Sequence, residues 1–357
     1  MRAPSPIASS ENARRRQRRE PSRSARPEPV SRPSDLACGD VFIRIGGLLR
    51  GTAVQLKLEG FSAGGSVKIK PARQMIDRLE RSGDAKPGMA LIESSSGNLG
   101  LALGIIAAER GYRFTCVSDP NISPQTAKLM RAYGTELVIV DRRDHNGGFL
   151  ASRIGYIRDR LAREPELIWL NQYANPANPG AHEHVTGPQI LAAFPQPDYV
   201  FIGAGTTGTL TGVSRAIRAA SPTTRIIAVD TLGSVTFGTE AGPRHLPGLG
   251  TSRRPEIASD QAMDHLILVG EADTVVMCRR LAARGLLLGA STGTVLAAVS
   301  SWADRIPVDA CVVAISPDMG DRYLDSVYDD DWVEGHFPGT LAQCAEAVAA
   351  AQMFWTR

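Results

Sequence analysis

The chain has 357 residues, enough for two domains or one large α/β domain, and its 43% hydrophobic share is typical of a globular protein. Its formal net charge of +3 arises in residues 1–36, where nine arginines against four acidic residues leave the rest of the chain near −2. This distribution argues against a nucleic-acid-binding body and predicts a disordered, Arg/Ser/Pro-rich tail over residues 1–36.

After this tail, segments with strand character alternate with segments of helical spacing. The predicted strands are residues 54–58, 90–92, 114–117, 136–140, 167–170, 199–202, 225–229, 266–269 and 310–315. The predicted helices are residues 72–79, 99–110, 124–133, 149–163, 188–194, 210–220, 272–284, 293–302 and 342–351. This alternation predicts an α/β fold with mostly parallel, twisted sheets covered by helices.

The cysteines and the apolar segments indicate in which cellular compartment the protein works. The five cysteines are far apart and contain no CxxC pair, so they predict neither a disulfide framework nor a zinc site. A reduced, cytoplasmic location fits this pattern. The longest apolar run, residues 99–108, is about ten residues and too short to cross a bilayer. No apolar signal segment stands near the N-terminus, so we expect no membrane partner.

Two glycine- and serine-rich segments carry the strongest chemical signal. Lys68 ends the segment Gly64-Gly65-Ser66-Val67-Lys68, just before a predicted helix. In a desolvated site the amine of a lysine loses its proton and can form a Schiff base with an aldehyde. Further on, residues 94–98 open a second helix and supply hydroxyl and backbone N–H groups for an anionic ligand. Together they predict a lysine that holds an aldehyde cofactor and a loop that holds its substrate.

A third segment, Gly203-Ala204-Gly205-Thr206-Thr207-Gly208-Thr209, joins a predicted strand to a predicted helix. GxGxxG in this place, with Asp230 at the end of the next strand, is also the pattern of a dinucleotide-binding fold. An NAD-dependent oxidoreductase therefore stays an alternative. The three threonines favour a phosphate cup, because hydroxyls add donors for a terminal phosphate.

Five ordered motifs resemble the cysteine synthase family, which are fold-type II enzymes that use pyridoxal 5′-phosphate and are similar in fold to the tryptophan synthase β subunit. The motifs are Gly64-Gly65-Ser66-Val67-Lys68, Ser95-Ser96-Gly97-Asn98, Asn171-Gln172-Tyr173-Ala174-Asn175-Pro176, Gly205-Thr206-Thr207-Gly208-Thr209 and Gly289-Ala290-Ser291-Thr292-Gly293. The resemblance spans roughly residues 40–333 and ends in Asp318-Met319-Gly320-Asp321-Arg322-Tyr323-Leu324. An ordered set of this kind is far more specific than one GxGxxG.

The resemblance implies a role for individual residues. Lys68 would bind the cofactor covalently and move the Cα proton of the substrate, Asn98 would hydrogen-bond the cofactor's ring oxygen, and Ser291 would face its pyridine nitrogen. The cofactor phosphate would lie on Gly205, Thr206, Thr207, Gly208 and Thr209. The substrate carboxylate would bind Ser95, Ser96 and Gln172.

Arg153 is a further candidate for substrate binding, because a guanidinium clamps a phosphate or a second carboxylate with two parallel hydrogen bonds. The predicted helix 149–163 carries four arginines, so a solvated helix face stays open as an alternative. His182-Glu183-His184 suggests a metal site, but side chains at i and i+2 of a helix point to different sides. No metal is therefore predicted.

Within the family, residues 93–100, 231–238 and 246–250 resemble enzymes that join O-phospho-L-serine to L-glutamate on the route to 2,3-diaminopropionate, a building block of siderophores and peptide antibiotics. The implied reaction is a β-replacement that forms a carbon–nitrogen bond and releases phosphate. A cysteine synthase that combines O-acetylserine or O-phosphoserine with sulfide stays an alternative. The resemblance also implies a homodimer.

The expected domain organisation has a smaller and a larger part. Residues 60–175 would form a smaller substrate-loop domain. Residues 40–59 together with 176–335 would form a larger cofactor-binding domain, and residues 336–357 would be a C-terminal tail. The cofactor would lie between the two domains, where closure excludes water.

Overall fold

The computed structural model describes residues 29–36, 39–144 and 147–350. The predicted disordered tail therefore falls mostly outside the described residues, and only its last part is seen. There the structure differs from the prediction: Pro33–Asp35 form a 3₁₀ turn, and the buried Ser34 donates to the Glu109 carboxylate from its N–H (2.8 Å) and its hydroxyl (2.9 Å). Hydrogen bonds rather than apolar burial hold this turn, so composition alone does not reveal it.

The strands and helices follow the predicted alternation. The strands are β1 (Phe42–Ile45), β2 (Val54–Leu58), β3 (Ala90–Ser94), β4 (Arg113–Ser118), β5 (Glu136–Ile139), β6 (Ile168–Trp169), β7 (Tyr199–Gly203), β8 (Arg225–Thr231), β9 (His265–Val269) and β10 (Val312–Ser316). The helices are α1 (Ile69–Ser82), α2 (Asn98–Arg110), α3 (Pro124–Ala132), α4 (Leu150–Arg163), α5 (Ala177–Ala181), α6 (Gly187–Ala193), α7 (Gly208–Ala220), α8 (Glu271–Ala282), α9 (Ala290–Ser301), α10 (Asp330–His336) and α11 (Thr340–Ala350).

The described strands form two sheets. The larger has the order β1-β2-β10-β7-β8-β9, and the smaller has the order β5-β4-β3-β6. All neighbours are parallel except β1, which pairs antiparallel with β2 in the register Ile45↔Val54. The predicted α/β class with mostly parallel sheets is therefore confirmed. The short β1 lacks a long apolar run, and the sequence analysis missed it.

Two helices with apolar residues on nearly every face carry site residues at their first turns. Helix α2 is buried from Leu99 to Ala107, and helix α9 is buried over most of its length. A helix enclosed on all sides is apolar all round. Asn98 begins α2 and is half-buried, and Ser291 lies buried in the first turn of α9.

Helix ends follow local signals where the chain supplies them. Gly111 adopts a left-handed conformation (φ 73°) and ends α2 as predicted. Between α5 and α6 the structure instead has a π-helical turn, His182–Thr186, and the sequence analysis missed α5. None of the helices in the described ranges has both the length and the apolar composition needed to span a membrane.

Candidate active site

Lys68 directly precedes α1, and backbone hydrogen bonds hold the two residues before it. Val67 N donates to the Pro317 carbonyl (2.8 Å), and Ser66 forms an antiparallel bridge with Asp318, just after β10. Burial lowers the pKa of the Lys68 amine to about 8, against the opposing effect of the Asp318 charge. An amine with this pKa is partly neutral at physiological pH and is therefore a competent nucleophile.

The loop between β7 and α7 forms a cup of backbone N–H groups and hydroxyls. Thr207 adopts a left-handed conformation (φ 65°) directly before α7. Gly205 has no room for a side chain, since a Cβ there would lie 2.6 Å from the Gly248 carbonyl oxygen. Within the described residues, the buried Thr207 hydroxyl has no hydrogen-bond partner. An unpaired hydroxyl at the N-terminus of a long helix fits an anionic ligand.

Ser291, in the first turn of α9, is buried and approaches Gly248 closely. Gly248 has φ 109°, and a Cβ on it would collide with the Ser291 hydroxyl. Both the backbone conformation and the contact therefore require glycine at this position.

The residues predicted to hold the cofactor all line one cavity. Its lining consists of Val67, Lys68, Asn98, Gly203, Gly205, Thr206, Thr207, Gly208, Thr209, Gly248, Leu249, Ser291 and Pro317. Separate stretches of the chain thus meet at the carboxyl ends of parallel strands, where ligands of α/β proteins bind. A larger cleft beside the β4 and β5 strands holds none of the predicted residues.

A hydrogen-bond network fixes the Asn98 amide. Its Nδ2 donates to Asp318 Oδ2 (2.7 Å), and its Oδ1 accepts from Arg322. Tyr323 donates its hydroxyl to the same Asp318 oxygen (2.8 Å). The motif at the end of the family resemblance therefore orients Asn98, a role that the sequence analysis did not assign.

The predicted substrate-loop residues partly serve the loop itself. The Ser95 hydroxyl accepts from Gly100 N (3.0 Å), so it caps the first turn of α2. The Gln172 side chain is buried and donates to the Ser94 carbonyl (2.9 Å). Ser96 is half-buried. Gln172 thus lies at the loop as predicted, but the Ser95 hydroxyl and the Gln172 amide already form hydrogen bonds within the protein.

Arg153 is 8% exposed, so the alternative of a solvated face is wrong for this residue. Its Nη1 lies 3.3 Å from Asp119 Oδ2. Its Nε and Nη1 are nevertheless buried without hydrogen-bond partners among the described residues. A guanidinium with unmet donors beside a substrate loop fits an anionic ligand.

The buried Glu93 was quoted in a motif but given no role, and the structure places it at the base of the substrate loop. Its carboxylate accepts from Ser94 N (2.7 Å) and from Gln172 N (3.1 Å). Burial raises the pKa of Glu93 to about 7, and these hydrogen bonds oppose the shift. Glu93 thus joins the two segments that carry the predicted substrate-binding residues. Its place directly before the serine run was the available signal.

His182 is fully buried and supports the phosphate cup. Its Nδ1 lies 3.0 Å from the Thr186 hydroxyl, and its Nε2 lies 3.2 Å from the hydroxyl of Thr209. Burial holds the pKa of His182 well below its usual value, with the charge of Lys68 acting in the same direction. A neutral imidazole therefore stands behind Thr209.

The dinucleotide alternative needs an accessible acid after the second strand. Asp230 is fully buried, and its carboxylate accepts from Thr231 N (2.8 Å). It is therefore turned into the protein rather than offered to a ribose.

Comparison with known proteins agrees with this site. Residues 43–318 match the family described as "Pyridoxal-phosphate dependent enzyme". The chain is 42% identical to an N-(2-amino-2-carboxyethyl)-L-glutamate synthase from Ralstonia nicotianae, over 84% of this chain and 90% of the relative. A synthase of the same name from Cupriavidus metallidurans is also 42% identical, over 78% of this chain and 83% of that one.

Solved structures agree as well. The chain is similar to O-ureido-L-serine synthase, with a TM-score of 0.79 and 34% identity over 85% of this chain and 96% of the other. It is also similar to the O-acetylserine dependent cystathionine beta-synthase from Helicobacter pylori, with a TM-score of 0.78 and 25% identity over 84% of this chain and 99% of the other.

Proposed function

Because the chain belongs to the family of pyridoxal-phosphate-dependent enzymes, we propose that it condenses O-phospho-L-serine with L-glutamate to N-(2-amino-2-carboxyethyl)-L-glutamate and releases phosphate. The observation that carries this proposal is the identity to two synthases named for that product, which extends over most of the chain. The product is a precursor on the route to 2,3-diaminopropionate, the building block implied by the subgroup motifs.

The cavity residues fit pyridoxal 5′-phosphate. The partly neutral Lys68 amine suits a covalent bond to an aldehyde. The unpaired Thr207 hydroxyl and the N-terminus of α7 suit a phosphate, and the Ser291 hydroxyl suits a pyridine nitrogen. When bound, the cofactor withdraws electrons from the substrate's Cα.

Within this proposal Lys68 Nζ removes the Cα proton of phosphoserine, because it is a cavity amine with a lowered pKa. Phosphate then leaves Cβ. The amine nitrogen of glutamate bonds to that carbon and loses a proton, and the Lys68 ammonium returns a proton to Cα. Asp318 supports these steps indirectly, since it holds the Asn98 amide and its negative charge acts on Lys68.

We assign the donor's phosphate to Arg153. Its unmet Nε and Nη1 donors are buried, so a bound dianion meets little competing water. Asp119 offsets part of the positive charge at 3.3 Å. Each charge-assisted hydrogen bond to the phosphate contributes roughly 1.5–3 kcal/mol. O-acetylserine has no such charge, so phosphoserine should be the better donor.

The test measures phosphate or acetate release from each donor, with and without L-glutamate, and identifies the product by mass. We expect glutamate-dependent phosphate release and a glutamate adduct. Cysteine formed efficiently from O-acetylserine and sulfide, with no glutamate adduct from phosphoserine, would return the protein to the cysteine synthases.

We further propose that the protein is a cytoplasmic homodimer. The described cysteines Cys116, Cys278, Cys311 and Cys344 are free thiols, which supports a reducing compartment. Light scattering on the purified protein tests the dimer, and a monomer mass across the working concentration range would contradict it.

A further inference from the structure

Arg244 lies between the segments 231–238 and 246–250, which carry the subgroup resemblance but have no assigned role in the site. Its guanidinium contacts the backbone of Gly250, where an added Cβ would lie 2.6 Å from Arg244 Nη1. Gly250 in turn donates its N–H to the Ala204 carbonyl (2.9 Å), at the start of the phosphate cup. Gly250 therefore lies between Arg244 and the loop that lines the cofactor cavity.

The Arg244 guanidinium is left incompletely paired. Its Nε is buried and has no hydrogen-bond partner in the part of the chain that the structure describes. Burial lowers the pKa of Arg244, while the charges of Asp230 and Glu271 oppose that shift. Glu271 accepts from His245 N (2.8 Å). Asp230 accepts from Thr231 N through Oδ1 (2.8 Å), and its buried Oδ2 has no hydrogen-bond partner among the described residues. A partly dehydrated cation whose Nε donor is unpaired fits a carboxylate ligand.

Tyr173 connects this cation to the substrate loop. It follows Gln172 in the chain and is 9% exposed. Arg253 stacks over its ring at 5.2 Å, and a bidentate contact with Glu256 occupies the Arg253 guanidinium. Burial raises the pKa of the Tyr173 phenol, and the charges of Arg153, Arg253 and Arg244 oppose this shift. Of the arginines that surround Tyr173, Arg253 is thus already paired and Arg153 is assigned to the donor.

We propose that Arg244, next to Gly250 at the edge of the phosphate cup, binds the side-chain carboxylate of the acceptor amino acid and so selects a dicarboxylic acceptor. This inference rests on the proposed function, because it names the residue that recognises L-glutamate at the same site. Separate cations for the two substrates explain how one cavity takes a phosphate ester first and a dicarboxylate second.

The experiment measures product formation from phosphoserine with L-glutamate and with L-glutamine, which differs only in its neutral side-chain amide. We expect Arg244→Gln to raise KM for glutamate roughly 10- to 150-fold, the equivalent of one charge-assisted hydrogen bond. KM for phosphoserine and kcat at saturating glutamate should stay near the unmodified values. The preference for glutamate over glutamine should disappear, and Arg244→Lys should keep part of it.

The matched control is Arg254→Gln, which removes the same charge from an exposed arginine paired with Asp260 at 2.8 Å. It should leave both KM values unchanged. If the unmodified protein forms the glutamate adduct while Arg244→Gln keeps its KM and its preference, this inference alone is overturned, and Arg244 only stabilises its loop beside Asp230. If no glutamate adduct forms at all, the proposed function fails with it.

Discussion

The cofactor side of the candidate site and its substrate side are built in different ways. On the cofactor side, Lys68 and the loop from Gly205 to Thr209 come from short motifs, and this loop leads into the first turn of α7 with its unpaired backbone N–H groups. On the substrate side, Arg153 lies on α4, whereas Tyr173 and Arg244 lie on loops, and the charges of both arginines act on the Tyr173 phenol from separate parts of the chain.

This difference determines what a sequence reveals. A phosphate held by backbone groups needs glycines and a helix start at fixed spacing, which leave a readable local pattern. A carboxylate held by a guanidinium needs only one arginine at the right point in space, and forty arginines and lysines offer no local pattern. Variants on the cofactor side should therefore abolish turnover, whereas variants on the substrate side should change which substrates are used.

The largest effect is expected for Lys68→Ala on the cofactor side. It should abolish turnover and leave the melting temperature nearly unchanged, because the phosphate cup remains. Borohydride reduction of the unmodified protein with bound cofactor, followed by peptide mapping, should place the label on Lys68. Lys128→Ala, at an exposed position, is the control and should remain active. A label on Lys70 or Lys57 would refute the assignment.

On the substrate side, Arg153→Gln should raise KM for phosphoserine roughly 10- to 150-fold, because one charge-assisted contact to the phosphate is lost. The change in KM for O-acetylserine should be much smaller, since that donor lacks the dianion. Arg158→Gln removes an exposed arginine of the same helix and serves as the control. Equal loss for both donors would mean that Arg153 supports the loop and does not bind phosphate.

Glu93, which joins two segments of the substrate side, should give a pH-dependent effect on stability. Its pKa is raised from 4.5 to about 7 by burial, so between these values the folded state holds a proton that the unfolded state has lost. The stability this contributes is present below pH 4.5 and is lost as the pH rises through about 7. The loss is at most about 3 kcal/mol, from 1.36 kcal/mol per pKa unit.

Urea unfolding at pH 5 and pH 8 tests this expectation. The free energy of unfolding of Glu93→Gln, relative to the unmodified protein, should be higher at pH 8 than at pH 5. Asp264→Asn is the control, because hydrogen bonds hold the pKa of Asp264 below 3.8 and it does not titrate in this window. A difference that is constant with pH would show that Glu93 stays ionised in the folded protein.

The sequence predicted most of the fold because its signals are local. Pro71 in the first turn of α1 and Gly111 after α2 mark helix ends through backbone conformation alone. The turn at Ser34 was missed because its partner, Glu109, is 75 residues away. The same reason applies to the site: the residues that line the cavity were predicted from motifs, whereas the pairing of Asn98 with Asp318 spans 220 residues and leaves no local pattern.

The smallest expected effect separates the ring of Tyr173 from its hydroxyl. Tyr173→Phe keeps the ring on which Arg253 stacks, so stability should change by less than about 0.5 kcal/mol. Tyr173→Leu also loses the cation–π contact and part of the ring's packing against Leu150 and Ile154, so it should cost about 1–3 kcal/mol more. If the hydroxyl contacts the acceptor, Tyr173→Phe should raise KM for glutamate roughly 2- to 10-fold, the equivalent of one neutral hydrogen bond, with KM for phosphoserine unchanged. Steady-state kinetics with each substrate varied in turn make the measurement. A change in KM for phosphoserine alone would place Tyr173 with Arg153 on the donor's phosphate. Recognition of the acceptor would then depend on Arg244.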